Sequence, residues 1–156
     1  MAKSGDNSKS ALINELNGLL ADHFALYTKT KSFHWHVQGP RFRDLHLLFD
    51  EQAVELRDQI DIIGERVRKN GAKTLTSIGS IAKHTKIADQ DDANLSSDTM
   101  IAELRDDNRK VVERLKGLKP LAENAGDNAT DGLLDEWTDL AEKRVWFLNS
   151  FLEQAD

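Results

Sequence analysis

The apolar residues of this chain recur at steps of three and four positions in four long stretches, which is the period of an amphipathic helix. In the first stretch they are Leu12, Leu16, Leu19, Leu20, Phe24, Tyr27 and Phe33. Ser8 or Ser10 is a suitable N-cap, and the pair Gly39-Pro40 is a stop signal. The pattern therefore predicts a first helix from Ser10 to about Val37.

The second stretch extends from about Arg43 to Asn70, and Gly71 stands where a helix cap is expected. Its apolar positions are Leu45, Phe49, Leu56, Ile60, Ile63 and Val67. No long periodicity continues between Gly71 and Leu95, where the run LTSIGSIAKH predicts one short helix. A connection of this length is typical of a crossover, because antiparallel neighbouring helices need only a few linking residues.

The third stretch begins at Ser96 or Ser97 and continues to about Asn124, with Pro120 predicting a kink or an early end. Its apolar positions are Ile101, Leu104, Val111 or Val112, Leu115 and Leu118. A fourth stretch follows the run AGDNATDG, in which Asn128 and Asp131 form a capping pattern. Its apolar positions are Leu133, Leu134, Trp137, Leu140, Val145, Leu148 and Phe151.

Four long helices with one long crossover are the arrangement of ferritin-like four-helix bundles. The sequence thus predicts an all-α, ferritin-like four-helix bundle over residues 10–156, with a short extra helix in the crossover between the second and third helices. Residues 1–9 are small and polar and predict a flexible N-terminal arm. A length of 156 residues fits one domain.

Composition excludes several classes of function. There is no cysteine, so disulfides, thiol catalysis and cysteine-based zinc or iron–sulfur sites are ruled out. No apolar run approaches the ~20 residues of a membrane span, and the run MAKSGDNSKS lacks the apolar core of a signal peptide. We therefore expect a cytoplasmic protein with no membrane partner. The net charge of −6 argues against a broadly basic surface for nucleic acid.

Two pairs of candidate metal ligands lie on the second helix. His46 and Asp50 are four residues apart, as are Asp61 and Glu65, so each pair projects from one face. At about 100° per residue all four fall within a band of roughly 100°, but the helical rise separates Asp50 from Asp61 by about 16 Å. One metal ion cannot bridge that distance.

A two-fold axis near Glu55 would remove this difficulty. Antiparallel packing of two copies places the acidic pair of one helix beside the His46/Asp50 pair of the other, which creates two sites per dimer. His34, near the end of the first helix, is a further candidate. Such donors suit Fe(II), Mn(II) or Zn(II), and carboxylate bridges suit redox iron. The spacing alone is also compatible with an ordinary solvated helix face.

The stretch that follows His34 resembles the signature of the Dps family, the mini-ferritins known as DNA-binding proteins from starved cells. The matching elements are HW at His34-Trp35, G-x-x-F from Gly39 to Phe42, H-x-x-x-D from His46 to Asp50, and D-x-x-x-E-R from Asp61 to Glu65-Arg66. The likeness covers nearly the whole chain and includes Trp146-Phe147. It implies a metal site between subunits, with His34, His46 and Asp50 from one subunit and Asp61 and Glu65 from its two-fold mate.

The resemblance also implies a hollow dodecamer, built from two-fold dimers, that acts as a ferroxidase and iron store. Such a protein binds one or two iron ions per site, oxidises Fe(II) preferentially with hydrogen peroxide, stores ferric mineral and protects against oxidative damage. Trp35 lies beside the site in the family, where it could catch a stray oxidising equivalent or simply pack at a helix end. A ferritin with an intrachain di-iron site would need Glu-x-x-His motifs, and the sequence has none.

Ferritin cages admit iron through acidic three-fold pores, which Dps proteins place near the start of the last helix. The candidates here are Glu123, Asp127 and Asp131, although Gly132 stands where the family often has an acidic residue. Helix capping and interaction with the helix dipole explain Asp127 and Asp131 equally well.

The remaining histidines are not predicted to bind metal. His36 points about 100° away from His34 on a helix and is interpreted as a surface or interface residue. His23 lies about 16 Å from His34 along the helix and is interpreted as structural. His84 has no acidic partner at metal spacing.

The alternative function is a nucleoid-structuring, DNA-binding assembly with a weak or vestigial metal site. In some family members a Lys/Arg-rich arm binds duplex phosphates. Here the arm offers Lys3 and Lys9 against Asp6, and the C-terminal run EQAD is acidic. That is little positive charge for binding driven by counterion release, so DNA is a weakly supported partner.

Overall fold

The structure, a computed structural model, describes the backbone of residues 4–152 and the side chains of residues 7–152. This part of the chain forms five helices and no strand. They are α1 (Ser4–His36), α2 (Phe42–Lys69), α3 (Ile78–His84), α4 (Ser97–Ala125) and α5 (Asn128–Ser150). The predicted all-α fold, with four long helices and a short one in the crossover, is confirmed.

Most helix ends lie at the stop and cap residues predicted from the sequence. Gly71 and Gly126 have φ angles of 82° and 68°, and they terminate α2 and α4 in the left-handed region that glycine tolerates best. The short helix α3 begins with a capping box, in which Ser77 and Ser80 bond to each other's backbone N–H. At the start of α4, the Ser96 side chain accepts a hydrogen bond from Thr99 N, as expected for an N-cap.

Two helix boundaries differ from the predictions, at the starts of α1 and α5. Helix α1 begins at Ser4, so residues 4–9 of the predicted arm are helical; the run contains no proline, and extending an existing helix adds one hydrogen bond per residue fixed. Helix α4 passes through Pro120 and ends at Ala125, which agrees with the predicted end near Asn124; of the two effects predicted for Pro120, a kink or an early end, the early end does not occur. The cap of α5 is Asp127, one residue before the predicted Asn128. Residues 1–3 and 153–156, which include Lys3 and the EQAD run, lie outside the described residues.

Two helical hairpins pack together around one core. Helix α1 packs on α2 and α4, and α4 packs on α5. Two ion pairs between α1 and α4, Lys29 with Asp107 and Asp22 with Arg114, show that these helices are antiparallel, since the residue numbers run in opposite directions. The crossover therefore returns the chain parallel to α2, as its length predicted. No helix within residues 4–152 combines the length and apolar character needed to cross a membrane.

The core also contains a polar layer. Arg144 of α5 is only 2% exposed; its guanidinium donates to Glu55 of α2 and, at 2.7 Å, to Oδ1 of Asn108. His23 of α1 is fully buried and lies 2.8 Å from Oε1 of Gln59. These contacts join all four long helices, and because buried polar groups need partners they favour one packing arrangement over others.

Candidate metal centre

The turn between α1 and α2 brings the two motif histidines face to face. The chain leaves α1 at His36, reverses at Gly39 with φ 106°, and begins α2 at Phe42. As a result the rings of His34 and His46 stack with centroids 3.8 Å apart and planes inclined by 14°. The two residues are twelve positions apart in sequence, so this proximity depends on the turn.

Each of these histidines is oriented by the backbone of the other. Nδ1 of His34 lies 2.5 Å from the carbonyl oxygen of His46, and Nδ1 of His46 lies 2.7 Å from the carbonyl oxygen of His34. A carbonyl oxygen can only accept, so both Nδ1 atoms carry the hydrogen. In the neutral rings the lone pairs are then on Nε2, which is the tautomer that a metal ion requires.

Asp50 stands beside this pair but is bound to a lysine. Its Oδ1 lies 4.0 Å from Nε2 of His34 and accepts a hydrogen bond of 2.5 Å from Nζ of Lys31. The hydrogen bond from Lys31 is the largest influence that holds the pKa of Asp50 below its usual range. The carboxylate is thus ionised and already in contact with a cation. Lys31 was not identified from the sequence, although its position one turn before His34 places both on one face of α1.

The second acidic pair lies apart from these residues. Asp61 and Glu65 are exposed towards the other end of α2, and Glu65 lies 3.8 Å from Nζ of Lys69. Within the described residues no three His, Asp or Glu side chains are arranged to hold a metal ion. One copy of the chain therefore brings His34, His46 and Asp50 near one another but does not bring Asp61 and Glu65 to them.

Large apolar side chains are exposed around the candidate ligands. Trp35, which follows His34, is 66% exposed, and Phe42, Leu47 and Ile62 of α2 are 40–45% exposed. The Phe42 ring also stacks on that of His46 at 5.0 Å. A concentration of exposed apolar residues along one helix is characteristic of a surface that contacts another protein.

The three candidate pore residues differ in their contacts. Asp127 accepts hydrogen bonds from Arg66 and Asn70 and caps α5 through Thr130 N. Burial acts to raise the pKa of Asp127, but these hydrogen bonds together hold it well below its usual range. Asp131 forms an ion pair of 2.8 Å with Lys119, whereas Glu123 is exposed.

The other histidines occupy the positions expected of non-ligands. His36 is exposed, and its Nδ1 donates to the carbonyl oxygen of Ser32 at 2.7 Å. His84 is exposed on α3. His23 is buried in the core, where desolvation lowers its pKa to about 4.

Comparison with known proteins assigns the chain to a family. The ferritin-like domain family matches residues 13–156. The DNA protection during starvation protein 2 of Bacillus anthracis is 35% identical over 144 residues, which cover 92% of this chain and 97% of that protein. The chain belongs to the Dps family of ferritin-like proteins.

Solved structures agree with this assignment. The Dps of Thermosynechococcus elongatus matches with a TM-score of 0.95 and 27% identity, covering 99% of this chain and 98% of that one. The Dps of Vibrio cholerae O1, described as a member of the ferritin-like diiron-carboxylate proteins, matches with a TM-score of 0.89 and 29% identity, covering 94% and 92%. The likeness thus covers all four long helices and the crossover.

Proposed function

We propose that this Dps-family chain is a ferroxidase and iron-storage protein whose metal sites form between two copies. The observation that carries the proposal is the arrangement of His34 and His46, whose Nδ1 atoms are both occupied by backbone carbonyls. Both Nε2 atoms are left as ligands beside the ionised carboxylate of Asp50. Two neutral imidazoles and a carboxylate are a donor set that fits Fe(II).

The second half of each site comes from the two-fold mate. Its Asp61 and Glu65 approach the first three ligands when two α2 helices pack antiparallel about a dyad near Glu55. The exposed apolar residues on and beside α2 support this, since such a dimer would bury them. Further contacts then build the dodecameric cage in which ferric mineral accumulates.

The proposed reaction consumes iron as a substrate. Two Fe(II) ions each lose one electron, the O–O bond of hydrogen peroxide breaks, and two protons complete the formation of two water molecules. The site is rich in carboxylate oxygens, from Asp50, Asp61 and Glu65. These hard donors favour the Fe(III) product over Fe(II). Peroxide that receives both electrons at one place releases no hydroxyl radical, which is the protective effect.

Accessory features follow the same proposal. Trp35 follows His34 and is exposed, and in this proposal it intercepts a stray oxidising equivalent or contacts the second copy. Iron would enter the cage near the start of α5, where Glu123 is the exposed carboxylate among the three candidates. The description of the Vibrio cholerae relative as a diiron-carboxylate protein supports iron chemistry. We further propose that the reaction takes place in the cytoplasm, as expected from the sequence.

A second function, DNA binding, is favoured only by the names of relatives such as the Bacillus anthracis protein. Lys9 is exposed on the first turns of α1, but the chain carries a net charge of −6. A cage of twelve such chains would repel duplex phosphates over most of its surface. A gel-shift assay with duplex DNA at low and moderate salt tests this function. If the protein shifts the DNA at neither salt concentration, the DNA-binding function is refuted.

The central test adds Fe(II) anaerobically to the purified protein, then peroxide, and follows ferric absorbance. The double variant His46→Ala/Asp50→Ala should lose the rapid phase, because it lacks two of the five ligands. The matched control is His84→Ala/Asp89→Ala, which removes the same residue types from exposed positions in and after α3. Equal rates in all three proteins would refute the ferroxidase assignment.

A further inference from the structure

Arg66 follows the candidate ligand Glu65 on α2, and its side chain reaches across to the first turn of α5. Its Nη2 donates to Oδ1 of Asp127 at 2.7 Å, and its Nε donates to Oγ1 of Thr130 at 2.8 Å. Asn70 adds a hydrogen bond of 2.9 Å to the other carboxylate oxygen, Oδ2. The last turn of α2 is therefore bound to the start of α5 through one carboxylate.

This connection is well shielded from water. The side chain of Arg66 is 13% exposed and that of Asp127 is 8% exposed. Asp127 has a second task, since its Oδ1 accepts from Thr130 N at 3.1 Å and so caps α5. A charged pair that is both buried and hydrogen-bonded at several atoms is costly to break, unlike an exposed ion pair. We name Arg66, Asn70, Asp127 and Thr130 the α2–α5 clamp.

The clamp holds the C-terminal end of α2, which is the part of the helix that carries the two acidic candidate ligands. Asp61 and Glu65 lie in the final three turns of the helix, which ends at Lys69 before Gly71 and a crossover of irregular chain. Terminal turns fray unless tertiary contacts hold them. Metal ligands must stay within roughly 0.5 Å of their working geometry, so fraying here would displace the carboxylates.

We propose that Arg66 is a positioning residue for the metal site: by binding Asp127 it fixes the end of α2 and thereby the carboxylates of Glu65 and Asp61. The inference rests on the proposed function of these carboxylates as ligands. It also gives Asp127 a structural task in place of the pore-lining one. The N-cap of α5 thereby supports the metal site through Arg66, although Asp127 itself is not a ligand.

The test compares two variants that break the clamp in different ways. Arg66→Met removes the guanidinium and keeps most of the side-chain length. Asp127→Ser removes the carboxylate but leaves a good N-cap for α5. The matched control is Arg105→Met, which removes an arginine joining α4 to Asn149 of α5 at 3.3 Å without touching α2. Size-exclusion chromatography and circular dichroism confirm that each variant assembles.

Two measurements separate positioning from other roles. Anaerobic titration with Co(II), followed by its visible absorption, reports the affinity of the site, and steady-state oxidation of Fe(II) by peroxide gives kcat and KM. Both clamp variants should bind Co(II) about tenfold more weakly and lose kcat by a similar factor, the size typical of residues that orient metal ligands. Arg66→Lys, which keeps the charge but not the planar fork, should recover part of the loss. Arg105→Met should match the wild type.

The outcomes distinguish this inference from the function on which it rests. If wild-type protein and Glu65→Gln bind Co(II) equally, the proposed function fails and the inference fails with it. If Glu65→Gln weakens binding while Arg66→Met and Asp127→Ser match the wild type, only the positioning role is overturned. If Asp127→Ser raises KM with unchanged Co(II) affinity, and Arg66→Met does not, Asp127 acts in iron admission and the inference is again overturned.

Discussion

Nζ of Lys31 lies 2.5 Å from Oδ1 of Asp50, so one of the proposed iron ligands is held by a cation of the same chain. The lysine is 24% exposed and the carboxylate 41% exposed, and the pair is therefore only partly shielded from water. An iron ion that binds Asp50 must displace this ammonium group or share the carboxylate with it. If Asp50 is an iron ligand, as proposed, Lys31 would compete with the iron for its carboxylate.

Removal of Lys31 should strengthen metal binding. Partly exposed ion pairs contribute about 0.2–1 kcal/mol, so Lys31→Met should tighten Co(II) binding by a factor of roughly 1.4 to 5. Anaerobic Co(II) titration of the assembled protein measures the change. Lys143→Met, which removes an exposed lysine from α5, should leave the affinity unaltered. Weaker binding by Lys31→Met would mean that the lysine orients Asp50 for the metal and does not compete with it.

If each site is shared between two copies, as proposed, two inactive variants should restore each other's activity when they are mixed. His46→Ala/Asp50→Ala lacks one half-site and Asp61→Asn/Glu65→Gln lacks the other, so each alone should be inactive. Random co-assembly in equal amounts should regenerate about a quarter of the sites, because each site then draws one intact half from each parent. Fe(II) oxidation after joint refolding or co-expression is the measurement. No recovery in mixed cages of normal size would place all the ligands within one chain.

Much of the fold could be predicted because it depends on local patterns. The apolar spacing of α1, α2, α4 and α5 and the glycines at 71 and 126 are readable without tertiary information, and the length of the crossover indicates its topology. The predictions that differ from the structure concern the first residues of α1 and α5. Residues 4–9 were not predicted to be helical because the apolar spacing does not extend to them. Asp127 and Asn128 are both good N-caps, so the sequence could not distinguish between them.

The candidate site was predictable only in part. Helical spacing and family resemblance selected His34, His46 and Asp50, but the reciprocal bonding of the two rings depends on the shape of the turn at Gly39. The α2–α5 clamp joins Arg66 to a residue 61 positions away, a pairing that exists only after the hairpins dock. Sequence patterns identify residues on one element, whereas contacts between elements require the packed structure.

The buried His23 should make stability depend on pH. Burial, together with the charge of Arg144, lowers its pKa from 6.5 to about 4, while nearby Asp22 and the hydrogen bond to Gln59 oppose the shift. The folded state therefore favours the neutral ring. The stability contributed by the neutral His23 is complete above the unfolded pKa and declines between pH 6.5 and about 4, by at most about 1.4 kcal/mol per pH unit.

Denaturant unfolding at several pH values and constant protein concentration measures this effect. His23→Gln should show a flatter dependence between pH 6.5 and 4, since it has no group that must be kept neutral. His84→Gln, at an exposed position, should retain the wild-type slope. Asp127 loses its stabilising charge only at lower pH, because its pKa is depressed below that of an unfolded aspartate. Identical slopes for all three proteins would show that His23 does not couple to unfolding in this range.

Two helix-interior glycines should respond in opposite ways to alanine. A Cβ at Gly18 would lie 1.9 Å from Nη2 of Arg114, whereas one at Gly117 would meet nothing within 4 Å. Gly117→Ala should stabilise the protein by about 0.5–1 kcal/mol, because alanine loses less backbone entropy in a helix. Gly18→Ala gains the same helix propensity but displaces the guanidinium that donates to the buried carboxylate of Asp22 at 2.7 Å.

For Gly18→Ala we expect a net loss of roughly 1–3 kcal/mol, because Oδ2 of the buried Asp22 would lose its charged partner, while Oδ1 keeps its hydrogen bonds from Thr85 Oγ1 and Lys86 N. Thermal and denaturant unfolding of both variants at one protein concentration provide the comparison. The double variant Gly18→Ala/Arg114→Met removes the clash together with the guanidinium. It should be no less stable than Arg114→Met alone, because the alanine then meets no charged group. If Gly18→Ala is more stable than the wild type, Arg114 must reach Asp22 in another side-chain conformation. The glycine is then not needed for the contact between α1 and α4.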